Sequence, residues 1–322
     1  MASKLVTVGI PVWNEESYIR DTLNSVIDNI DDIDKVIISD NASSDNTQKI
    51  CREFSQKNGK IAYIRQDKNI GSLNNFGYLL NAADSKYFMW LGGHDILHKR
   101  YIAQLKAELG KNADAVLAYT PAEHIGSSGE STSLYEYFFH NDLVSTNPFK
   151  RVCSLARHLN DCSLLHGLFK TEILRQSFVR EPFAGCDLVL LCKAASLGTF
   201  VYTTSTKILM REIRKETFAE SLERWKISLG EKAFEIPDKP YRRMQEGFIE
   251  TVQGMPASKP TRAIWKLRTQ MVLTRRFGPF TSNDGMMARM FWNGFVWYFD
   301  KWENLKVKTT RRLSSRAPGH AA

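Results

Sequence analysis

Three apolar runs in the first hundred residues each stop in a polar cluster: Val8-Gly-Ile-Pro-Val-Trp-Asn-Glu15, Ile37-Ile-Ser-Asp-Asn-Ala-Ser-Ser-Asp45 and Phe88-Met-Trp-Leu-Gly-Gly-His-Asp95. Strands buried on both faces read as continuous runs of this kind, and a parallel sheet presents its functional groups at the carboxyl ends of its strands. The three clusters are therefore expected to share one crevice.

The rest of the chain fits that expectation. Apolar runs at 5–12, 35–39, 61–65, 87–91 and 113–119 alternate with helical periodicity at 16–30, 45–57, 71–83 and 98–109. This is the order of an α/β chain with a doubly wound, mostly parallel sheet flanked by helices. Segment 120–146, with Gly126, Ser127, Ser128 and Gly129, reads as a long loop over the sheet. A second half follows, with a helix at 150–159, a strand at 163–169, a helix at 186–197 closed by Gly198, and a strand at 199–203. From residue 216 the pattern is helical, broken at Pro237, Pro240, Pro256 and Pro260, so the chain divides into 1–215 and a helical 216–322. There is no internal repeat.

The segments resemble the inverting, nucleotide-sugar-dependent glycosyltransferases of family 2, which have the GT-A fold. The family pattern opens on a strand ending in Pro-x-aromatic-Asn-Glu, here Pro11-Val12-Trp13-Asn14-Glu15. It continues with Asp-x-x-Ser-x-Asp, here Asp40-Asn41-Ala42-Ser43-Ser44-Asp45, and Asn69-Ile70-Gly71 with Asn75 and Gly77 is also like the family. The resemblance runs from about residue 5 to about residue 214, and the order of the motifs makes the set far more specific than any one of them.

What the resemblance implies is a transferase that moves a sugar from a nucleotide diphosphate to a hydroxyl of a glycan or lipid-linked glycan, with UDP or dTDP favoured. It assigns Asp40 to the imide hydrogen of the base, a donor that a carboxylate accepts strongly. Capping of the next helix is the competing role, and the expected one for Asp45. Trp13 stands where an aromatic lines the base pocket, or else is an ordinary core residue. Pro11, Glu15, Asn69, Gly71 and Asn75 are further nucleotide-sugar contacts by the same resemblance. Asp187, in Phe183-Ala-Gly-Cys-Asp-Leu188, matches the second member of a Glu-Asp pair that supplies the general base, with Cys186 in the Glu position. Its alternative role is helix capping. Arg211 and Arg214, with Lys215, are candidates to close over the diphosphate or else solvated charges; His166 and Glu181 are weaker cleft candidates.

The third motif departs from the family. Where the pattern reads Asp-x-Asp-Asp, this chain has Gly92-Gly93-His94-Asp95, so the first carboxylate is missing and Asp95 is the one carboxylate left in the motif. A leaving diphosphate still needs its charge neutralised. Asp95 with His94 is expected to hold a divalent cation, Mn²⁺ or Mg²⁺, completed by phosphate and water. The same departure fits a second reading, a glycosyltransferase-like scaffold that has lost catalysis.

Composition narrows the setting. With 322 residues, 43% hydrophobic and 25% charged, the chain can bury a large core and is not of disordered type. The chain start runs straight into the first strand without a signal-peptide pattern, and the five cysteines form no Cys-x-x-Cys pair, which together suggest a cytoplasmic protein. Residues 251–322 carry 13 Lys and Arg against 3 Asp and Glu, more than the whole net charge of +9. Segment 286–302 is rich in aromatics yet too polar to span a bilayer, and with its basic flanks over 275–316 it fits a peripheral membrane contact or packing on protein. Nucleic acid ranks last as a partner because no nucleic-acid-binding motif accompanies the charge.

Overall fold

The computed structural model describes residues 5–159, 162–212 and 241–277. In chain order β1 (Val6–Val12), α1 (Ile19–Ile27), β2 (Lys35–Asp40), α2 (Thr47–Lys57), β3 (Ile61–Arg65), α3 (Ser72–Ala82) and β4 (Tyr87–Trp90) form the amino-terminal half. There follow β5 (Ile96–Leu97), α4 (Tyr101–Lys111), β6 (Ala115–Tyr119), β7 (Ala122–Ile125), β8 (Ser131–Tyr135), α5 (His140–Leu143) and α6 (Pro148–His158). The remainder comprises β9 (Leu168–Lys170), α7 (Thr171–Ser177), α8 (Cys186–Leu197), β10 (Thr199–Tyr202), β11 (Ile208–Arg211), α9 (Arg242–Gly254) and α10 (Lys259–Phe277).

Seven strands make the main sheet in the order β10-β6-β9-β4-β1-β2-β3. Every pairing is parallel except those of β9, which runs antiparallel to β4 and β6. The α/β expectation with a mostly parallel sheet holds. Side chains alternate between two cores: Val36 and Ile38 join one cluster and Ile37 the other, and Met89 opposes Phe88 and Trp90 in the same way. Both faces are covered, which is why the strands read as unbroken apolar runs.

Helices supply the covering layers by ordinary periodicity. On α1, Ile19, Leu23 and Val26 fall on one stripe and are all buried. Pro11 sits in a central strand, where a missing N–H normally breaks a ladder. It lies beyond Gly9–Trp90, the last β1–β4 pair, so β4 has already diverged. The crevice opens at that divergence.

Three sequence expectations are corrected. Segment 120–146 is no loop: β7 and β8 pair antiparallel and join β11 and β5 in a second sheet, ordered β5-β11-β7-β8. The Gly-Ser cluster is its hairpin turn, with Gly129 at a φ of 89° that L side chains rarely adopt. Within 163–169, residues Ser163–His166 form a 3-10 turn and only Leu168–Lys170 is strand. Pro260 does not break a helix but sits in the first turn of α10, where proline's missing N–H is harmless.

The described part of 216–322 packs on the sheet's helical layer. Met244, Phe248, Val252 and Leu273 belong to the same core cluster as Leu191 and Phe200. Trp265 stacks on Phe149 at 4.9 Å, and Arg276 donates to the carbonyls of Ala156 and Leu159 at the carboxyl end of α6, 2.7 Å each. Among the described residues no helix is long and apolar enough to cross a membrane.

Candidate active site

The turns after β1 and β2 hold each other in place. Ser43 Oγ accepts the Asn14 N–H at 3.0 Å, Thr47 Oγ1 accepts that of Glu15 at 2.8 Å, and Asn14 Oδ1 accepts that of Ser44 at 2.8 Å. Asn14 and Ala42 both adopt left-handed φ, 56° and 63°, so the two strand ends carry strained backbone. Asp45 accepts the N–H groups of Thr47 and Glu16. Burial opposes its charge, but the Thr47 and Glu16 hydrogen bonds hold its carboxyl below the usual range. It closes the first turn of α2, as expected.

Asp40 ends β2 with its side chain wholly buried. Its Oδ1 accepts the Ser43 N–H at 2.8 Å, and its Oδ2 accepts the Tyr63 hydroxyl at 2.6 Å and Arg65 Nη1 at 3.1 Å. Burial, then the Asp40 hydrogen bond and charge, push the Tyr63 hydroxyl pKa up, so Tyr63 is a neutral donor. Tyr63 and Arg65 were not foreseen; the readable signal was that β3 runs parallel beside β2, pairing Arg65 with Asp40 at the strand ends. Trp13 is 50% exposed at the same edge, which removes it from the core.

The other motif residues divide. Asn69 Oδ1 accepts from Asn41 Nδ2 at 2.8 Å and from the Gly71 N–H at 2.9 Å, shaping the approach to α3. Gly71 has a φ of 84° there. Asn75 is buried and spends its amide on Ser39, accepting from its Oγ and donating to its carbonyl. It clamps α3 to β2 and is not open to a ligand.

At the end of β4, His94 Nδ1 meets Glu15 Oε1 at 3.1 Å, and His94 Nε2 stands 4.0 Å from Asp95 Oδ1. Asp95 is buried; its Oδ1 accepts the Arg211 N–H at 3.0 Å, and its Oδ2 lies 3.7 Å from His166 Nε2. His166 Nδ1 lies 3.1 Å from the Trp90 carbonyl, which can only accept, so that nitrogen carries a proton. Burial pulls the His94 pKa down, but the Glu15 hydrogen bond and the charges of Asp95 and Glu15 outweigh it and leave the value raised. His94 therefore adds stability below the ordinary histidine pKa of about 6.5, and that contribution is lost as pH rises through the raised native value. In His94→Gln, the melting temperature followed between about pH 6 and 8 is expected to fall less steeply than in the wild type. Parallel curves would remove His94 as the titrating group.

At Gly92, where the family pattern has Asp, the space of a side chain is already taken. A Cβ there would lie 2.5 Å from Asp95 Oδ2, so no side chain fits without displacing that carboxylate. Gly92→Asp, which restores the family residue, is expected to destabilise by about 1–3 kcal/mol through overpacking. Thermal unfolding measures it, and an unchanged melting temperature would show that Asp95 moves aside freely.

Arg211 is corrected. Its guanidinium lies 4.8 Å over the Tyr18 ring and donates to the carbonyls of His94, Gly126 and Ser127 and to Asp21. This buried side chain bolts the second sheet to the strand-end turns and gives four of its five N–H groups to protein acceptors, which fixes it in place rather than leaving it to close over a diphosphate. Glu181 is exposed in an ion pair with Arg243. Arg214, Lys215 and segment 286–302 lie outside the described residues.

Asp187 stands in the first turn of α8, where Oδ1 accepts the Leu188 N–H at 2.8 Å and Oδ2 accepts the Cys162 thiol. Burial, with Asp187 adding to it, pushes the Cys186 thiol up to about 12, so the residue in the family's Glu position stays neutral. Asp187 faces a cavity of about 610 Å³ that also reaches Trp90 and Leu165. The turn Ser163–His166 thus links Cys162 beside Asp187 to His166 beside Asp95.

A family model described as glycosyl transferase family 2 matches residues 7–178, more than half of the chain. The chain belongs to glycosyl transferase family 2. Within it the chain is similar to glycosyltransferase GlyA of Streptococcus pneumoniae, 30% identical over 31% of this chain and 14% of that protein. It is also similar to abequosyltransferase RfbV of Salmonella typhimurium, 32% identical over 35% of each chain. Both matches span well under half of the relative's length. Among solved structures, S. aureus TarS 1–349 in complex with UDP superposes with a TM-score of 0.61 at 13% identity, covering 87% of this chain and 74% of that one. The same segment in complex with UDP-GlcNAc gives 0.60 at 12%, covering 84% and 71%. These likenesses establish the GT-A fold.

Family 2 membership brings the divalent cation into question at residue level. Among the described residues no group of three His, Cys, Asp or Glu side chains is arranged to hold a metal ion. Asp95 Oδ2 and His94 Nε2 remain as donors, a set that fits an ion completed by diphosphate oxygens and water and not a protein-only cage.

Proposed function

We propose that this family 2 protein transfers a sugar, with inversion, from a uridine or thymidine diphosphate donor to a hydroxyl of a glycan or lipid-linked glycan. The observation that carries the reading is the convergence of Asp40, Trp13, Glu15, His94 and Asp95 at the ends of β1, β2 and β4, with Asp187 in the wall of a cavity that reaches Trp90 at the end of β4. Open α/β sheets bind ligands at this edge.

In this reading the base stacks on Trp13 and its imide N–H is accepted by Asp40, with Arg65, a third exposed, swinging aside to admit it. Pro11 and the Asn69–Gly71 turn border the same edge. A divalent cation held by Asp95 and His94 would supply charge neutralisation of the leaving diphosphate. The acceptor oxygen attacks the anomeric carbon, the bond from that carbon to the phosphate oxygen breaks, and its electron pair leaves with the diphosphate. Asp187 takes the acceptor proton. Residues 1–215 form the catalytic unit, and the described residues 241–277 brace it. The brace supports a place at the cytoplasmic membrane surface: α10 holds Lys259, Arg262, Lys266, Arg268, Arg275 and Arg276 with no acidic residue, and exposes Ile264 and Leu267.

Isothermal titration with UDP, dTDP, CDP and GDP, with and without Mn²⁺, tests this reading. Tightest binding of UDP or dTDP is expected; equal affinity for all four would overturn the base assignment.

A further inference from the structure

The cavity of about 610 Å³ beside Asp187 is of the size of ligand pockets in general, yet its wall is unsuited to a bare sugar. Phe76, Trp90, Leu165, Phe178, Phe183 and Tyr241 are in that wall. Phe76 and Phe178 flank Trp90 with ring centroids at 5.4 and 6.1 Å, and the Trp90 indole N–H is already given to the Phe76 carbonyl at 3.1 Å. The charged side chains in the wall are Asp187 and Arg276, and Arg276 is engaged by the Ala156 and Leu159 carbonyls. A hexose placed here would bury hydroxyls against rings and methyl groups, where an unpaired hydroxyl costs about 1–3 kcal/mol. A hydrocarbon chain gains about 0.8 kcal/mol for each CH₂ it buries.

Continuity with the crevice gives the cavity its orientation. Trp90 ends β4, its carbonyl lies beside His166, and His166 reaches Asp95, so the apolar space begins where the third motif begins. Leu165, next to His166, lines the cavity. Asp187 is in the wall.

We propose that this cavity binds the hydrocarbon part of the acceptor, an alkyl or isoprenyl chain close to the attacked hydroxyl, so that the acceptor is a lipid-linked species and not a free glycan. The inference rests on the reading of Asp187 as the base that receives the acceptor proton. The chain fills the apolar space while the hydroxyl end emerges at Asp187, facing the strand-end crevice. Selection then comes from the acceptor's apolar portion.

The test compares n-octyl β-D-glucoside, below its micellar concentration, with methyl β-D-glucoside by isothermal titration against the full chain. At least tenfold tighter binding of the octyl compound is expected. Leu165→Glu and Leu73→Glu, each placing a carboxylate in the wall, are expected to abolish that preference, while Ile264→Glu, at a residue 54% exposed on α10, keeps it. Melting temperatures check that the variants fold, and the wild-type comparison stands without them. Equal affinity for the two glucosides would overturn the inference, as would an octyl preference that survives both folded cavity variants or is lost in Ile264→Glu. UDP and dTDP titrated into the same samples separate the two readings. Binding of either nucleotide without an octyl preference defeats the acceptor inference alone; a cavity-dependent octyl preference with neither nucleotide bound defeats the donor reading and leaves the apolar site standing.

Discussion

Asp187→Asn is expected to lower sugar transfer by about 10²-fold or more while melting temperature and nucleotide affinity stay near those of the wild type. General-base catalysis contributes about 10²–10⁴-fold, and an amide cannot take the acceptor proton. The substitution is nearly isosteric. An asparagine oxygen can still accept one of the two hydrogen bonds that Asp187 now receives, from the Leu188 N–H or the Cys162 thiol, and asparagine is tolerated at helix starts. A structural role alone would therefore leave turnover almost intact. Retained turnover in the folded mutant would defeat the base assignment. Absence of turnover in the wild type, with UDP bound and lipid-linked acceptors supplied, would favour the scaffold reading that Gly92 raised. Neutral Cys186 cannot substitute as base, because its thiol holds its proton up to about 12.

The parts of the molecule legible in sequence were those where one local pattern decides the outcome. Strands β1 to β4 and β6 emerged from their apolar runs because both faces of the sheet are covered, and α8 emerged because Gly198 stops it in an extended conformation. The hairpin of β7 and β8 did not, since β8 has four exposed residues and polar composition, and only its pairing with β7 makes it a strand. Arg211 shows the same limit at the site. As a basic residue after a strand it looked like a ligand for phosphate, yet its backbone N–H and guanidinium are fixed by groups from the turn after β4, from α1 and from the hairpin, more than eighty residues away in sequence. Partners of Asp40 were equally hidden, because Tyr63 and Arg65 belong to a neighbouring strand. Gly92 carries the converse lesson: the departure from the family pattern was plain in sequence, and its consequence, the Asp95 carboxylate occupying the space of a Cβ, required coordinates.

Asp40 sets a second large effect, and two substitutions there separate its structural role from recognition of the base. In Asp40→Ala the Ser43 N–H and the Tyr63 hydroxyl lose their acceptor in a wholly buried site, and a loss of about 2–5 kcal/mol in stability is expected. Arg65, with a side chain 34% exposed, can turn to water and adds little to that loss. That variant alone says nothing about nucleotide, since an unfolded chain binds none. Asp40→Asn keeps one acceptor oxygen for Ser43 and turns the other position into a donor, which Tyr63 can accommodate by rotating its hydroxyl proton. The stability loss should then shrink to about 1–2 kcal/mol. A charge-assisted hydrogen bond from the imide N–H of uracil or thymine is worth about 1.5–3 kcal/mol, so UDP and dTDP affinity is expected to fall by about 10- to 100-fold. CDP has no imide N–H and should change less, narrowing the preference of UDP over CDP. If Asp40 served only to fix the turn after β2, the melting temperature would fall while the UDP-to-CDP ratio stayed constant, and that ratio in the folded Asn variant decides whether this carboxylate reads the base.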